Sequence, residues 1–89
     1  MTTSPDAHRQ DPREELHVVR FFEVAGAAGR TTLEPLGRAW RAAGARTDLL
    51  ASLDRDDLWL LVVRGGRGDE VTAPDDPAIR TWRFREVPR

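Results

Sequence analysis

Two short runs, "LHVVRFFEV" (Leu16 to Val24) and "LWLLVVR" (Leu58 to Arg64), constrain the fold of this chain more than any other feature. Both are rich in β-branched and aromatic residues and have the length of a strand. Alternation puts Leu16, Val18, Arg20, Phe22 and Val24 on one face of the first run, and His17, Val19, Phe21 and Glu23 on the other. Neither face is wholly polar, and the second run is apolar almost throughout. Strands of this kind sit centrally in a sheet whose two faces are both covered. The chain has 89 residues to provide that cover, and a domain of this size buries only about 60% of the surface its unfolded chain exposes. Cover is the limiting resource.

One side is assigned to a helix. "TTLEPLGRAWRAAG" carries Leu33, Leu36, Trp40 and Ala43 at helical spacing, so it presents one apolar stripe. Thr31 followed by Glu34 fits a capping box, which puts Pro35 in the first turn, and Gly44 is a natural stop. The preceding "AGAAGR" is a connection without the spacing of a phosphate loop.

"TDLLASL" and "LWLLVVR" form an antiparallel pair around Asp54, Asp56 and Asp57. A calcium loop needs spaced acidic residues with a central glycine and a terminal glutamate, and "LDRDDLW" has neither. The aspartates are therefore read as the solvated tip of a hairpin, where they favour the turn and oppose edge pairing. "GGRGDEVTAPDDP" is a loop, too polar and broken for a full helix, and its Arg67-Gly68-Asp69 is ordinary turn chemistry rather than an adhesion signal. In "AIRTWRFREV", Arg80, Trp82 and Phe84 alternate with Thr81, Arg83 and Arg85, which predicts a strand.

The order β-α-β-β-loop-β makes an α+β domain with a ferredoxin-like antiparallel sheet and one main helix. Residues 1–15 have little to bury and are expected to form a disordered tail that includes His8, which leaves 16–89 as a single domain. One helix covers one face. A second copy of the same sheet is the simplest cover for the other, so the expectation is a homodimer.

Composition excludes several alternatives. With no cysteine there are no disulfides, thiolate metal sites or cysteine nucleophiles. Net charge is -1, with 14 basic and 15 acidic side chains, and every basic one is arginine. That balance offers no basic field for nucleic acid or membrane, although "RTWRFR" interleaves arginines and aromatics as single-strand binders do. The absence of a long apolar run predicts a soluble, cytoplasmic chain. No Ser-His-Asp pattern or zinc spacing appears, and no cofactor is expected.

The stretch "HVVRFFEVAGAAGRTTLEPLGRAWRAAGARTDLLASLDRDDLWLLVVRG" resembles the antibiotic-biosynthesis monooxygenase type of dimeric α+β barrel. The resemblance lies in an opening strand ending Phe22-Glu23-Val24, a helix bearing Trp40, and Gly44 before the second strand. A hairpin with Leu49, Leu50, Ser52, Asp54 and Asp57 then leads into an apolar third strand. Members of that family usually insert a second helix between strands three and four, and residues 65–78 are too short and polar for one. The resemblance therefore implies a shortened member with a more open pocket. It spans heme-degrading enzymes, cofactor-independent oxygenases and members without known activity, so fold alone does not specify a reaction.

Within that frame, the ligand is expected to be a small apolar or aromatic molecule. Phe21, Trp40, Trp59 and Trp82 are the candidate walls. The plainer reading of Trp40, on its helical stripe, is core. His17 is the candidate general base of a cofactor-independent oxygenation, against the plainer reading of a lone structural histidine. The competing class is a non-catalytic interaction module that uses the open sheet face.

Overall fold

A computed structural model describes residues 17–88. The segment 1–15, expected as a tail, lies outside the described residues. Strand β1 spans Val18–Ala25, helix α1 Gly29–Ala42, β2 Arg46–Ala51, β3 Leu58–Arg64 and β4 Arg80–Arg85, with one 3₁₀ turn at Gly68–Glu70. The sheet order is β2-β3-β1-β4 and every neighbouring pair is antiparallel. That arrangement is compatible with a ferredoxin-like fold, and the two doubly apolar runs take the two central places. Among the described residues, no helix is long and apolar enough to cross a membrane.

The cross-strand register assigns every side chain to a face. Phe22 lies opposite Leu61, Val24 opposite Trp59, and Arg20 opposite Val63. These positions face α1, and Phe22, Val24, Leu61 and Val63 bury with Leu33 and Trp40 as the core. Leu36, Leu49, Trp59, Val71 and Ile79 pack around it, half-buried. The core thus lies between the sheet and a cover made of α1 on one half and the 65–79 connection on the other.

The helix begins differently from the sequence expectation. It starts at Gly29 with Ala28 as N-cap and no side-chain cap, so the Thr31–Glu34 capping box does not form. Glu34 accepts instead from Arg30 Nε at 2.8 Å, and Pro35 falls inside the helix. Tertiary packing decides the start. A Cβ on Gly29 would lie 2.5 Å from Cδ1 of Trp59, so glycine alone lets the first turn sit on that indole. The turn before it is pinned by Gly26 N–H donating to the Asp57 carbonyl at 2.6 Å. Further along, Gly37 brings α1 close to Leu61, whose Cδ1 would lie 3.3 Å from a Cβ there.

The helix end follows expectation. Gly44 has φ +91° and its N–H donates to Arg41 O at 3.0 Å, while Ala45 N–H donates to Trp40 O at 3.0 Å. Those two bonds satisfy the last carbonyls as a Schellman motif.

The three aspartates are exposed at the β2–β3 tip. Ser52 Oγ accepts from the N–H groups of Asp54 and Arg55, and Asp57 adopts φ +55°, which Asp tolerates better than most residues. Among the described residues no group of His, Asp or Glu is placed to hold a metal ion.

Candidate functional site

Two features stand out on the sheet: a cavity under the 65–79 connection on the helix face, and on the other an apolar field that the described residues leave uncovered.

The cavity has a volume of about 340 Å³. Its floor is Phe22 and Trp40, whose ring centroids are 6.4 Å apart, and its roof is formed by Val71, Thr72, Ala73 and Pro74. Arg20 of β1 and Arg83 of β4 enter from the sheet together with Thr81. Arg20 and Arg83 are direct cross-strand partners on one face. The Arg20 guanidinium stacks on Trp40, with Cζ 4.5 Å from the ring centroid, in cation–π geometry.

Glycines hold the connection against this floor. Gly66 has φ +89°, and a Cβ there would lie 2.8 Å from Ala45 Cβ and 3.1 Å from Trp40 Cε3. At Gly68 a Cβ would lie 2.9 Å from Arg20 Nη2. Hydrogen bonds from Gly65 N–H to Val18 O at 3.0 Å and from Arg67 N–H to Ala43 O at 2.9 Å tie the segment to β1 and to the end of α1. The Arg67 guanidinium pairs with Glu70 beside the 3₁₀ turn, so Arg67-Gly68-Asp69 is a packed turn. The indole N–H of Trp40 is buried without an acceptor among the described residues, and so is that of Trp59.

On the opposite face, Val19 pairs with Phe84 and Phe21 with Trp82 across β1 and β4. Phe21 and Phe84 meet edge to face at 5.3 Å. Leu50 pairs with Leu60 across β2 and β3. No helix lies over this face among the described residues. Trp82 is 37% exposed, Leu50 49% and Phe84 56%. Charges of both signs surround the apolar field: Arg46, Arg64 and Arg80 with Glu23, Asp48 and Glu86. Arg64 Nη1 donates to Glu86 Oε1 at 2.7 Å beside an open groove floored by Val19, Phe21 and Phe84.

The residues singled out from the sequence do not converge. Trp40 lines the helix-face cavity. Phe21 and Trp82 oppose each other on the uncovered face, and Trp59 lies beneath the first turn of α1. His17 is exposed ahead of β1, where its carbonyl accepts from Glu86 N–H at 2.8 Å, and it lines none of these depressions. Sequence reasoning passed over Arg20 and Arg83. A charged residue inside a central apolar strand, and arginines at period two in "RTWRFR", were the available signals.

No protein-family model matches the chain, and no curated protein or solved structure matches it.

Proposed function

We propose that the chain binds a small, largely apolar or aromatic molecule in the cavity between β1, β4, α1 and residues 65–79. The cavity itself carries this reading. Its volume of about 340 Å³ falls in the range of about 300–1,000 Å³ typical of small-molecule sites, which are apolar with a few placed polar groups. Phe22, Trp40 and Val71 provide the apolar part, and Thr72, Thr81 and two arginines the polar part. Binding needs only these walls. Turnover would need a general base, and the described residues lining the cavity include no histidine or carboxylate. The binding reading is therefore preferred to an oxygenase with His17 as base.

The test is calorimetric titration of the full chain with naphthalene-2-methanol, a neutral bicyclic probe. Saturable binding that is abolished by Val71→Trp, which fills the cavity from its roof, is the expected result. Binding unaffected by that substitution would move the site elsewhere.

The uncovered sheet face supports a second part of the reading, in which two chains pack face to face as a dimeric α+β barrel. Such a dimer would resemble the antibiotic-biosynthesis monooxygenase-type barrels, with a loop in place of their second helix. The favouring observation is the exposed Leu50, Trp82 and Phe84 within a ring of mixed charge. A two-fold interface meets itself, so a patch bearing both signs at its rim is self-complementary. Light scattering is expected to give twice the 10.0 kDa of one chain. A monomer would leave the face for a different partner chain.

A further inference from the structure

Strand β4 is an edge of the sheet: β1 lies on one side of it and, among the described residues, no strand lies on the other. All six of its residues are exposed. The register fixes which backbone groups face outward. Glu86 N–H donates to His17 O at 2.8 Å, so the opposed residues that exchange hydrogen bonds continue as Val19–Phe84, Phe21–Trp82 and Glu23–Arg80. Thr81, Arg83 and Arg85 therefore turn their N–H and C=O groups away from β1, and none of these groups has a partner among the described residues. The edge is unbroken, with six consecutive pairs to β1 and no proline from Arg80 to Glu86. Such a row of free groups is a template for another strand. We propose that β4 takes an added antiparallel strand from a partner protein, an extended segment in which acidic and apolar residues alternate.

The side chains of β4 specify that alternation. Arg83 and Arg85 lie on the helix face, Trp82 and Phe84 on the uncovered one. Neither Arg83 nor Arg85 has an ion-pair or side-chain hydrogen-bond partner among the described residues, and Glu86 is engaged by Arg64. Arg80 differs, since it stacks on Trp82 at 5.3 Å and lies opposite Glu23. An incoming strand continues both rows. Its residues beside Arg83 and Arg85 gain charge-assisted contacts if they are carboxylates. Those beside Trp82 and Phe84 widen the apolar field if they are aliphatic. Backbone pairing supplies affinity, and the alternating side chains select the partner.

Charge and backbone chemistry decide against other occupants. A second copy pairing β4 with β4 would set arginine against arginine. The sugar-phosphate backbone of a single-stranded nucleic acid would meet the arginines but has no N–H groups for the outward carbonyls of Thr81, Arg83 and Arg85. Charged residues on an edge commonly keep like strands apart. The same arginines that repel a copy attract an acidic segment.

The test is fluorescence anisotropy of a short labelled peptide of alternating glutamate and valine, titrated with the full chain at low ionic strength. A peptide of the same composition with its glutamates and valines in separate blocks is expected to bind at least about tenfold more weakly, because it cannot satisfy both rows and the backbone edge together. N-methylation at the glutamates, whose N–H groups would face β4, is expected to abolish binding, whereas N-methylation at the valines leaves it. Arg83→Gln combined with Arg85→Gln, both on the exposed edge, is expected to weaken binding at least about threefold, with circular dichroism confirming the fold. Equal binding of the two peptide orders, or binding that survives N-methylation at the glutamates, overturns strand addition in favour of charge alone. No binding of the alternating peptide also overturns it and leaves the arginines as guards of the edge. Displacement of the peptide by oligothymidylate, or a fall in mass by light scattering as the peptide binds, overturns it by giving the edge to nucleic acid or to a second copy.

Discussion

The substitution Gly66→Ala isolates how tightly the 65–79 connection is held against Trp40. Two costs act at this position. The backbone has φ +89°, a left-handed conformation that costs a residue with a Cβ about 1–2 kcal/mol. The new methyl would also lie 2.8 Å from Ala45 Cβ, 3.3 Å from Ala45 Cα and 3.1 Å from Trp40 Cε3. Neither neighbour is the end of a flexible side chain, so the packing must shift, at a cost of typically about 1–3 kcal/mol. Gly44 is the matched reference. Its φ is +91°, and the nearest atom to a Cβ there is Arg67 Nη1 at 3.1 Å, the movable end of a long side chain. Backbone strain and the reduced freedom of the unfolded chain therefore nearly cancel between Gly66→Ala and Gly44→Ala, leaving the steric part. Thermal melts at one protein concentration read the difference, since a chain of this size loses about 4–8 °C per kcal/mol. Gly66→Ala is expected to melt at least about 4 °C below Gly44→Ala. Equal melting temperatures would mean that the connection rides loosely over Trp40, and the roof of the cavity would lose its support.

Two further substitutions test the core and the open face. Leu33 is fully buried where α1 meets the sheet, and Leu33→Ala is expected to cost about 2–5 kcal/mol. That loss is comparable to the stability of so small a domain, so near-UV circular dichroism should show loss of fixed packing; a cooperative melt within about 4 °C of the parent would remove Leu33 from the core. Trp82→Asp places a charge on edge strand β4, opposite Phe21 on the face that no described helix covers, while leaving the helix-face core untouched. It is expected to halve the mass seen by light scattering with the far-UV spectrum unchanged, and a persistent dimer would locate the interface elsewhere.

The strands were legible because their signals are local. Period-two alternation identified "RTWRFR" as a strand, and the aspartates marked the hairpin tip by turn chemistry that needs no tertiary partner, where Ser52 Oγ caps the turn. Gly44 marked the helix end for the same reason. The helix start was misread because Thr31 and Glu34 supply a plausible cap while Gly29, two residues earlier, is selected by its contact with Trp59. A contact made across the fold leaves no periodic trace. The cavity was illegible on the same ground: Arg20 and Arg83 become neighbours only through the β1–β4 register. Hydrophobic patterning instead drew attention to Phe21, Trp59 and Trp82, which the alternation of β1, β3 and β4 distributes over two faces.

The cavity and the irregular form of the β3–β4 connection are one structural fact. Strand β3 must reach β4 across β1, because β1 lies between them in the sheet. A helical crossover would lay a continuous apolar stripe over β1 and β4. Residues 65–79 make the crossing as a glycine- and proline-broken segment instead. Its first part needs glycine at 66 to pass Trp40, runs at Gly68 against the end of Arg20, and then contributes Val71 and Ile79 to the core. Two half-buried side chains cannot fill what a helix would fill. The unfilled space lies over the positions where β1 and β4 carry Arg20, Thr81 and Arg83 in place of apolar residues. Larger apolar side chains at those positions would narrow the space from the sheet side. Arg20, Thr81 and Arg83 give the space one polar wall opposite an apolar one, the composition that the proposed ligand site requires.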